Sequence, residues 1–213
     1  MRKLQRAMKF YFVRHGESEA NRLREFSNSG TKHPLTERGV EQARALAHRL
    51  EEVRFESIHS SPILRAVQTA HILAENSGMP VEVTEALREW SVGVYEGTSA
   101  PEGWDLHRRV QEDWYFHDKP DSRMPGGESF NEVRARFVPF IEGLVARHSG
   151  TDHNLLCVAH GGIFTAMLPV ILQNIDHAFI VEQGVAHTSP IIAEERPDGL
   201  YCTHWCETPL DEP

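Results

Sequence analysis

The sequence predicts an α/β fold, a three-layer sandwich with a mostly parallel central sheet flanked by helices, plus a small inserted cap segment. Two observations carry this expectation. Short β-prone runs alternate with amphipathic helical stretches, the pattern of strands joined by crossover helices. Two of those runs also break off directly at His-Gly, in Arg14-His15-Gly16 and in His160-Gly161-Gly162. A chain of 213 residues fits one domain, 1–213, better than two.

Lys9 to Val13 is the first β-prone run, ended by a glycine that permits a tight turn. Val40, Ala43, Ala47 and Leu50 recur at helical spacing behind Thr36, a suitable N-cap. Ser57-Ile58-His59 is a second strand. Ser61 and Pro62 then predict a helix start, with Ser61 as N-cap and Pro62 at the first helical position. That helix carries Ile63, Ala66, Val67, Ala70, Leu73 and Ala74 on one face and stops before Gly78-Met79-Pro80. Val81 to Val83 is a further strand.

From about Glu96 to Gly127 the composition shifts to Trp, His, Asp, Pro and Gly with weak periodicity, which predicts a cap or lid containing one or two irregular helices. Ser129 and Glu132 form a capping-box pattern ahead of Phe137, Ile141, Leu144 and Val145, with Pro139 as a place for a kink. Asn154 to Ala159 is the most apolar strand, followed by a helix from Ile163 to Leu172 and strands near Pro190–Ala193 and Leu200–Trp205. In open α/β sheets ligands bind beyond the carboxyl ends of the strands, where helix N-termini also point, so both histidines are expected at a binding crevice.

Composition bounds the partners. A net charge of −9 argues against binding to nucleic acid or anionic membranes, yet a few arginines focused in one cleft still attract phosphate. No apolar run approaches the ~18 residues of a membrane span, and the basic start Met1-Arg2-Lys3-Leu4-Gln5-Arg6 lacks the apolar core of a secretory signal. A cytoplasmic location is expected. Three cysteines do not suggest a disulfide framework in a chain of this length. Cys202, His204 and Cys206 would share one face of a strand, but no fourth ligand is evident nearby, so they read as a terminal strand and neither metal nor cofactor is expected. An exposed strand edge near the C-terminus permits a homodimer without demonstrating one.

Phosphoryl transfer needs three equatorial oxygens neutralised, an in-line nucleophile and a way to release the leaving group. Arg14, His15, Arg65 and His160 offer those groups at strand ends and helix starts. Arginine suits phosphate because its planar fork donates two parallel hydrogen bonds. A neutral imidazole serves as nucleophile through a covalent phosphohistidine, and Glu89 serves as general acid if burial raises its pKa. Taken singly, each has a plain structural reading: a loop histidine, a surface arginine, a solvated glutamate, with Glu96 a nearby competitor for the acid role and Asn21 a turn former.

Together the residues resemble a known family. Phe12-Val13-Arg14-His15-Gly16-Glu17-Ser18 with Asn21 resembles the signature of the histidine phosphatase superfamily, the phosphoglycerate mutase-like proteins. The resemblance continues in order through Pro34-Leu35-Thr36, Gly39, Gln42-Ala43, Ser60-Ser61-Pro62, Arg65-Ala66, Gln68-Thr69-Ala70, Leu87-Arg88-Glu89, Gly93, Glu96-Gly97, Gly126-Gly127-Glu128-Ser129 and Val158-Ala159-His160-Gly161-Gly162. It implies His15 as nucleophile, Glu89 as proton donor, His160 with Arg14 and Arg65 as the phosphate pocket, Asn21 beside the phosphate, and a backbone N–H from Gly161. Ser18 stands where threonine is also common. The family often has Asn at the first position of His187-Thr188-Ser189, so His187 is left without a role. Glu128 and Ser129 either touch substrate or, for Ser129, cap a helix; Trp104, Trp114, Tyr115 and Phe116 either line the mouth of the site or pack the inserted segment.

The expectation is a metal-independent phosphatase acting on a small phosphorylated metabolite. A cofactor-dependent phosphoglycerate mutase is the first alternative, disfavoured because mutases of this family usually carry a longer basic insertion after the acid block. Here that region holds Arg108-Arg109 but is otherwise acidic and Trp-rich. An inactive phospho-ligand binding module is the second alternative; loss of the nucleophile or acid would mark it, and both are present.

Overall fold

β1 (Lys9–Arg14) lies near the middle of the sheet, hydrogen-bonded to β4 (Asn154–Ala159) on one side and β5 (Ile191–Arg196) on the other. This is a computed structural model, describing residues 7–75 and 77–210. The basic start at Met1–Arg6 lies outside the described residues. With β2 (Phe55–Ser60), β3 (Val81–Val83), β6 (Gly199–Trp205) and β7 (Thr208–Pro209), the strand order is β3-β2-β4-β1-β5-β6-β7. β3, β2, β4 and β1 are mutually parallel. β5, β6 and β7 extend the sheet as an antiparallel meander, because the short turn at Pro197-Asp198 can return the chain only as a hairpin.

Period-two alternation along β1 builds both faces. Phe10 and Phe12 point to one core together with Leu155, Cys157 and Ala159, while Tyr11 and Val13 point to the other with Leu156 and Val158. Against the second face pack α2 (Glu37–Arg49) and α3 (Leu64–Ala74), through Leu46, Ala66, Ala70 and Leu73. Against the first pack α5 (Phe130–His148) and α6 (Gly161–Ile171), through Val133, Phe137, Ile141, Ile163, Phe164 and Met167. Each of the larger of these side chains contributes roughly 1.5–3 kcal/mol on burial, which makes the two cores the main source of stability. Two short helices, α1 (Glu19–Leu23) and α7 (His177–Gln183), complete the order with α4 (Pro101–Phe116). No described helix is long and apolar enough to cross a membrane.

The capping signals behave as read in two cases. Thr36 Oγ1 accepts from Gly39 N at 3.0 Å, and Ser129 Oγ accepts from Glu132 N while the Glu132 carboxylate accepts from Ser129 N at 2.8 Å. The start at Ser61-Pro62 needs correction: α3 begins at Leu64 with Ile63 as N-cap. Ser61 still belongs to the sheet, its N–H bonded to Val158 O at 2.9 Å. The segment expected to hold one or two irregular helices contains one continuous helix of 16 residues, α4, opened by Pro101. Its aliphatic periodicity is weak because rings bury it: Trp104 stacks on Phe26 at 3.9 Å, His107 on Trp90 at 4.5 Å and Tyr115 on His177 at 4.5 Å.

Candidate active site

Arg14 lies opposite Ala159 in the parallel β1–β4 pair, so His15 and His160 leave the sheet side by side. The His15 N–H donates to Ala159 O at 3.0 Å and holds the two strand ends together. After β1 the chain turns toward the face covered by α2 and α3; after β4 it turns to the opposite face through α6. A crevice opens where adjacent strands send their connections to opposite faces. The turn after β1 is closely packed: a Cβ on Gly16 would lie 2.4 Å from Gly39 O, so only glycine fits there.

A cavity of about 290 Å³ occupies the crevice, lined by Arg14, His15, Asn21, Arg65, Glu89 and Gly161 among others. His160 lies immediately behind it, its ring centroid 5.1 Å from that of His15. All seven residues singled out from the sequence are therefore brought together. Glu96 is not among them: its carboxylate accepts from the N–H groups of Asn28 (2.9 Å) and Ser29 (3.1 Å) and pins that loop. Glu128 likewise serves structure, accepting from Arg88, Arg136 and the Ser91 N–H.

Hydrogen bonding fixes the tautomer of His15. Its Nδ1 lies 2.7 Å from Gly16 O, and a carbonyl only accepts, so Nδ1 carries the proton. Nε2 is then the nitrogen with the lone pair, and it accepts from Arg65 Nε at 2.9 Å. Burial, followed by the charges of Arg65, His160 and Arg14, holds the His15 pKa well below its ordinary value, so the ring is neutral.

Arg65 also donates through Nη1 to Ser27 O at 2.7 Å, and burial lowers its pKa to about 10, which leaves it cationic at neutral pH. Arg14 donates through Nη1 to Val185 O at 2.7 Å, and its Nε is buried without a partner. His160 Nε2 is 2.6 Å from Ser61 Oγ, and its Nδ1 is buried and unpartnered. Burial and the nearby arginines depress its pKa too. Among the described residues the Gly161 N–H, in the first turn of α6, has no partner. Asn21 Oδ1 accepts from the Ser18 N–H and hydroxyl, which leaves its Nδ2 for another acceptor. Unsatisfied donors converging on one cavity beside a helix N-terminus make a receptor for an anion.

Glu89 is 8% exposed and accepts from Trp90 N at 3.0 Å and Gly162 N at 2.9 Å. Burial raises its pKa against the opposing pull of those two N–H groups and of Arg65. Gly162 is obligatory: a Cβ there would lie 2.7 Å from Trp90 Nε1 and 2.8 and 2.9 Å from the two carboxylate oxygens.

Several site residues carry no local signal. His187, left without a role, donates from Nδ1 to His15 O at 2.7 Å, and burial lowers its pKa to about 4. Ser61, read as a helix cap, holds His160. Of the four aromatics of the inserted segment, Trp104 lines the cavity, joined there by His107 and Gln111, while Trp114 packs in the core.

The family model described as "Histidine phosphatase superfamily (branch 1)" matches residues 10–208. "Putative phosphoserine phosphatase 2" of Hydrogenobacter thermophilus is 30% identical over 204 residues, covering 94% of this chain and 97% of that protein. The 2,3-bisphosphoglycerate-dependent phosphoglycerate mutase 2 of Lactobacillus johnsonii is 29% identical, covering 86% of this chain and 90% of that protein. Among solved structures, a mycobacterial glucosyl-3-phosphoglycerate phosphatase superposes with a TM-score of 0.77 at 26% identity, covering 94% of this chain and 99% of that one.

Proposed function

The chain belongs to the histidine phosphatase superfamily, and we propose that within it the protein is a phosphomonoester hydrolase that works without a metal, through a phosphohistidine on His15. The observation that carries this reading is the state of His15: neutral, protonated on Nδ1, with the Nε2 lone pair in a cavity furnished with cations.

The ester phosphate sits against Arg14, Arg65, Asn21 and the Gly161 N–H, with the His160 ring behind it. When the Ser61 hydroxyl donates to His160 Nε2, the His160 proton resides on Nδ1 as a further donor. Nε2 of His15 attacks phosphorus; the P–O ester bond breaks and its electron pair goes to the leaving oxygen. Glu89, whose pKa is raised by burial, gives that oxygen its proton. The resulting carboxylate then takes a proton from water, the incipient hydroxide attacks phosphorus, and the P–N bond breaks with its electron pair returning to Nε2. Phosphate leaves, and Glu89 is protonated again for the next ester.

Hydrolase is favoured over mutase by the paired arginines of α4. Arg108 is ion-paired to Asp105, Arg109 Nε donates to Asp105 O, and neither side chain lines the cavity around His15. They do not hold the second anionic group of a substrate that must stay bound while a phosphoryl group returns to it. Incubation with 3-phosphoglycerate distinguishes the two: free phosphate without 2-phosphoglycerate is the result expected, and rapid isomer formation would replace this reading by the mutase.

A further inference from the structure

Beyond the phosphate, the cavity wall is polar but almost without charge. Trp104, His107 and Gln111 stand three and four residues apart on α4, so one helix face presents all three to the cavity. The His107 ring is stacked on Trp90 and makes no hydrogen bond to the described residues. Burial, helped by Arg108, lowers its pKa to about 4, so at neutral pH it offers one donor and one acceptor and no charge. Gln111 donates from Nε2 to Tyr115 Oη at 3.4 Å and keeps its carbonyl free; Asn28 donates from Nδ2 to Trp90 O at 2.6 Å and also keeps its carbonyl free.

Among the described residues, the one charged wall residue outside the phosphate floor and Glu89 is Glu25. Its Oε1 accepts from Lys32 at 2.5 Å and from His33 at 2.9 Å, and Oε2 has no partner among the described residues. Those two contacts hold the carboxyl below its usual range, so it is ionised. Arg14 and Arg65 are the cationic side chains lining this cavity, and both lie at the phosphate end. Arg24 and Arg108 line an adjoining recess that shares Asn21, Glu25 and Trp104 with this cavity, and there Arg108 is ion-paired to Asp105.

We propose that the ester accepted here has an uncharged, hydroxyl-bearing leaving group, the phosphate of a small sugar or polyol, selected by Trp104, His107, Gln111, Asn28 and Glu25. The proposal rests on the phosphatase reading above. A carboxylate or second phosphate on a short leaving group is desolvated beside Glu25, and no third cation stands among the described residues lining this cavity to receive it, which is costly. Hydroxyl groups meet a neutral imidazole, two amide carbonyls and a carboxylate oxygen, and a wall built for hydroxyls rejects analogues that leave those partners unpaired.

The test is a matched pair, glycerol 3-phosphate against 3-phosphoglycerate, which differ only in a hydroxymethyl group against a carboxylate. The kcat/KM for glycerol 3-phosphate is expected to be higher by roughly tenfold or more. Gln111→Arg, which places a cation on the wall, is expected to narrow or reverse that ratio. Equal or better turnover of 3-phosphoglycerate by the wild-type protein, with p-nitrophenyl phosphate also hydrolysed, overturns the substrate inference and leaves the phosphatase reading standing. No release of phosphate from any of the three esters overturns both.

Discussion

Arg65 donates its Nε–H to Nε2 of His15 across 2.9 Å, so the nitrogen carrying the lone pair is already covered by a cation before any ligand arrives. An incoming phosphate must draw that guanidinium onto its own oxygens and thereby uncover the nucleophile. A planar fork does both because its second nitrogen stays anchored on Ser27 O at 2.7 Å.

Arg65→Lys keeps the charge and loses the fork. A fall in kcat/KM of about a hundredfold or more is expected for every ester tested, by steady-state kinetics. The variant also leaves the buried Ser27 carbonyl without its partner, so a loss of about 1–3 kcal/mol is expected in urea unfolding.

Glu89→Gln removes the proton donor while preserving its shape. Hydrolysis of an alkyl ester is expected to slow by roughly a hundred- to ten-thousandfold in kcat. Formation of the phosphoenzyme from p-nitrophenyl phosphate, whose leaving group departs without a proton, should slow far less, read as the burst of p-nitrophenol, while the later hydrolysis step slows for both esters. Equal losses in that first step with the two esters would remove Glu89 from the acid role.

Gly162→Ala drives a methyl group into Trp90 Nε1 and both carboxylate oxygens of Glu89. The backbone there begins a helix and cannot give way cheaply, so about 1–3 kcal/mol of stability is expected to go. Activity should fall in the pattern of Glu89→Gln, because the carboxyl group is the movable neighbour.

The pH dependence follows from the directions of the shifts. His15, His107, His160 and His187 all have folded pKa values below the ordinary histidine value, reaching about 4 for His107 and His187. Above pH ~6.5 both states leave these rings neutral and the groups cost nothing. As pH falls from there toward 4, the unfolded chain takes up protons that the folded protein refuses, so stability declines by up to about 1.4 kcal/mol per pH unit for each ring. Glu89 has a raised folded pKa and works in the opposite sense, but it is one group against these four rings, and His59, His148 and His177 are lowered as well. Urea midpoints should therefore drop steadily between pH 7 and pH 5. Activity should weaken on the alkaline side as Glu89 loses its proton.

Much of this site is written locally. β1 and β4 end where the apolar runs end, and the histidine following each run therefore lands at a strand end whatever the rest of the chain does. What stayed hidden depends on distance. Ser61 has every local mark of a helix cap, and its hydroxyl does accept from the Ile63 N–H at 3.3 Å, yet the same hydroxyl also meets His160, 99 residues away, and its N–H is taken by β4. Glu89 and Glu96 look equivalent in sequence; the backbone N–H groups that claim Glu96 belong to Asn28 and Ser29, far earlier in the chain. Of the α4 wall only Trp104 was legible, as one of two readings; His107 and Gln111 carry no signal because they join no apolar stripe, and rings from other segments, not an aliphatic period, bury that helix.

Covalent trapping tests the account at its centre. The protein is mixed with p-nitrophenyl phosphate, quenched in alkali, digested and read by mass spectrometry. One phosphoryl group is predicted on the peptide carrying His15, labile to acid, accumulating further in Glu89→Gln and absent in His15→Ala. Undiminished hydrolysis by His15→Ala, or an acid-stable adduct on another residue, would contradict it.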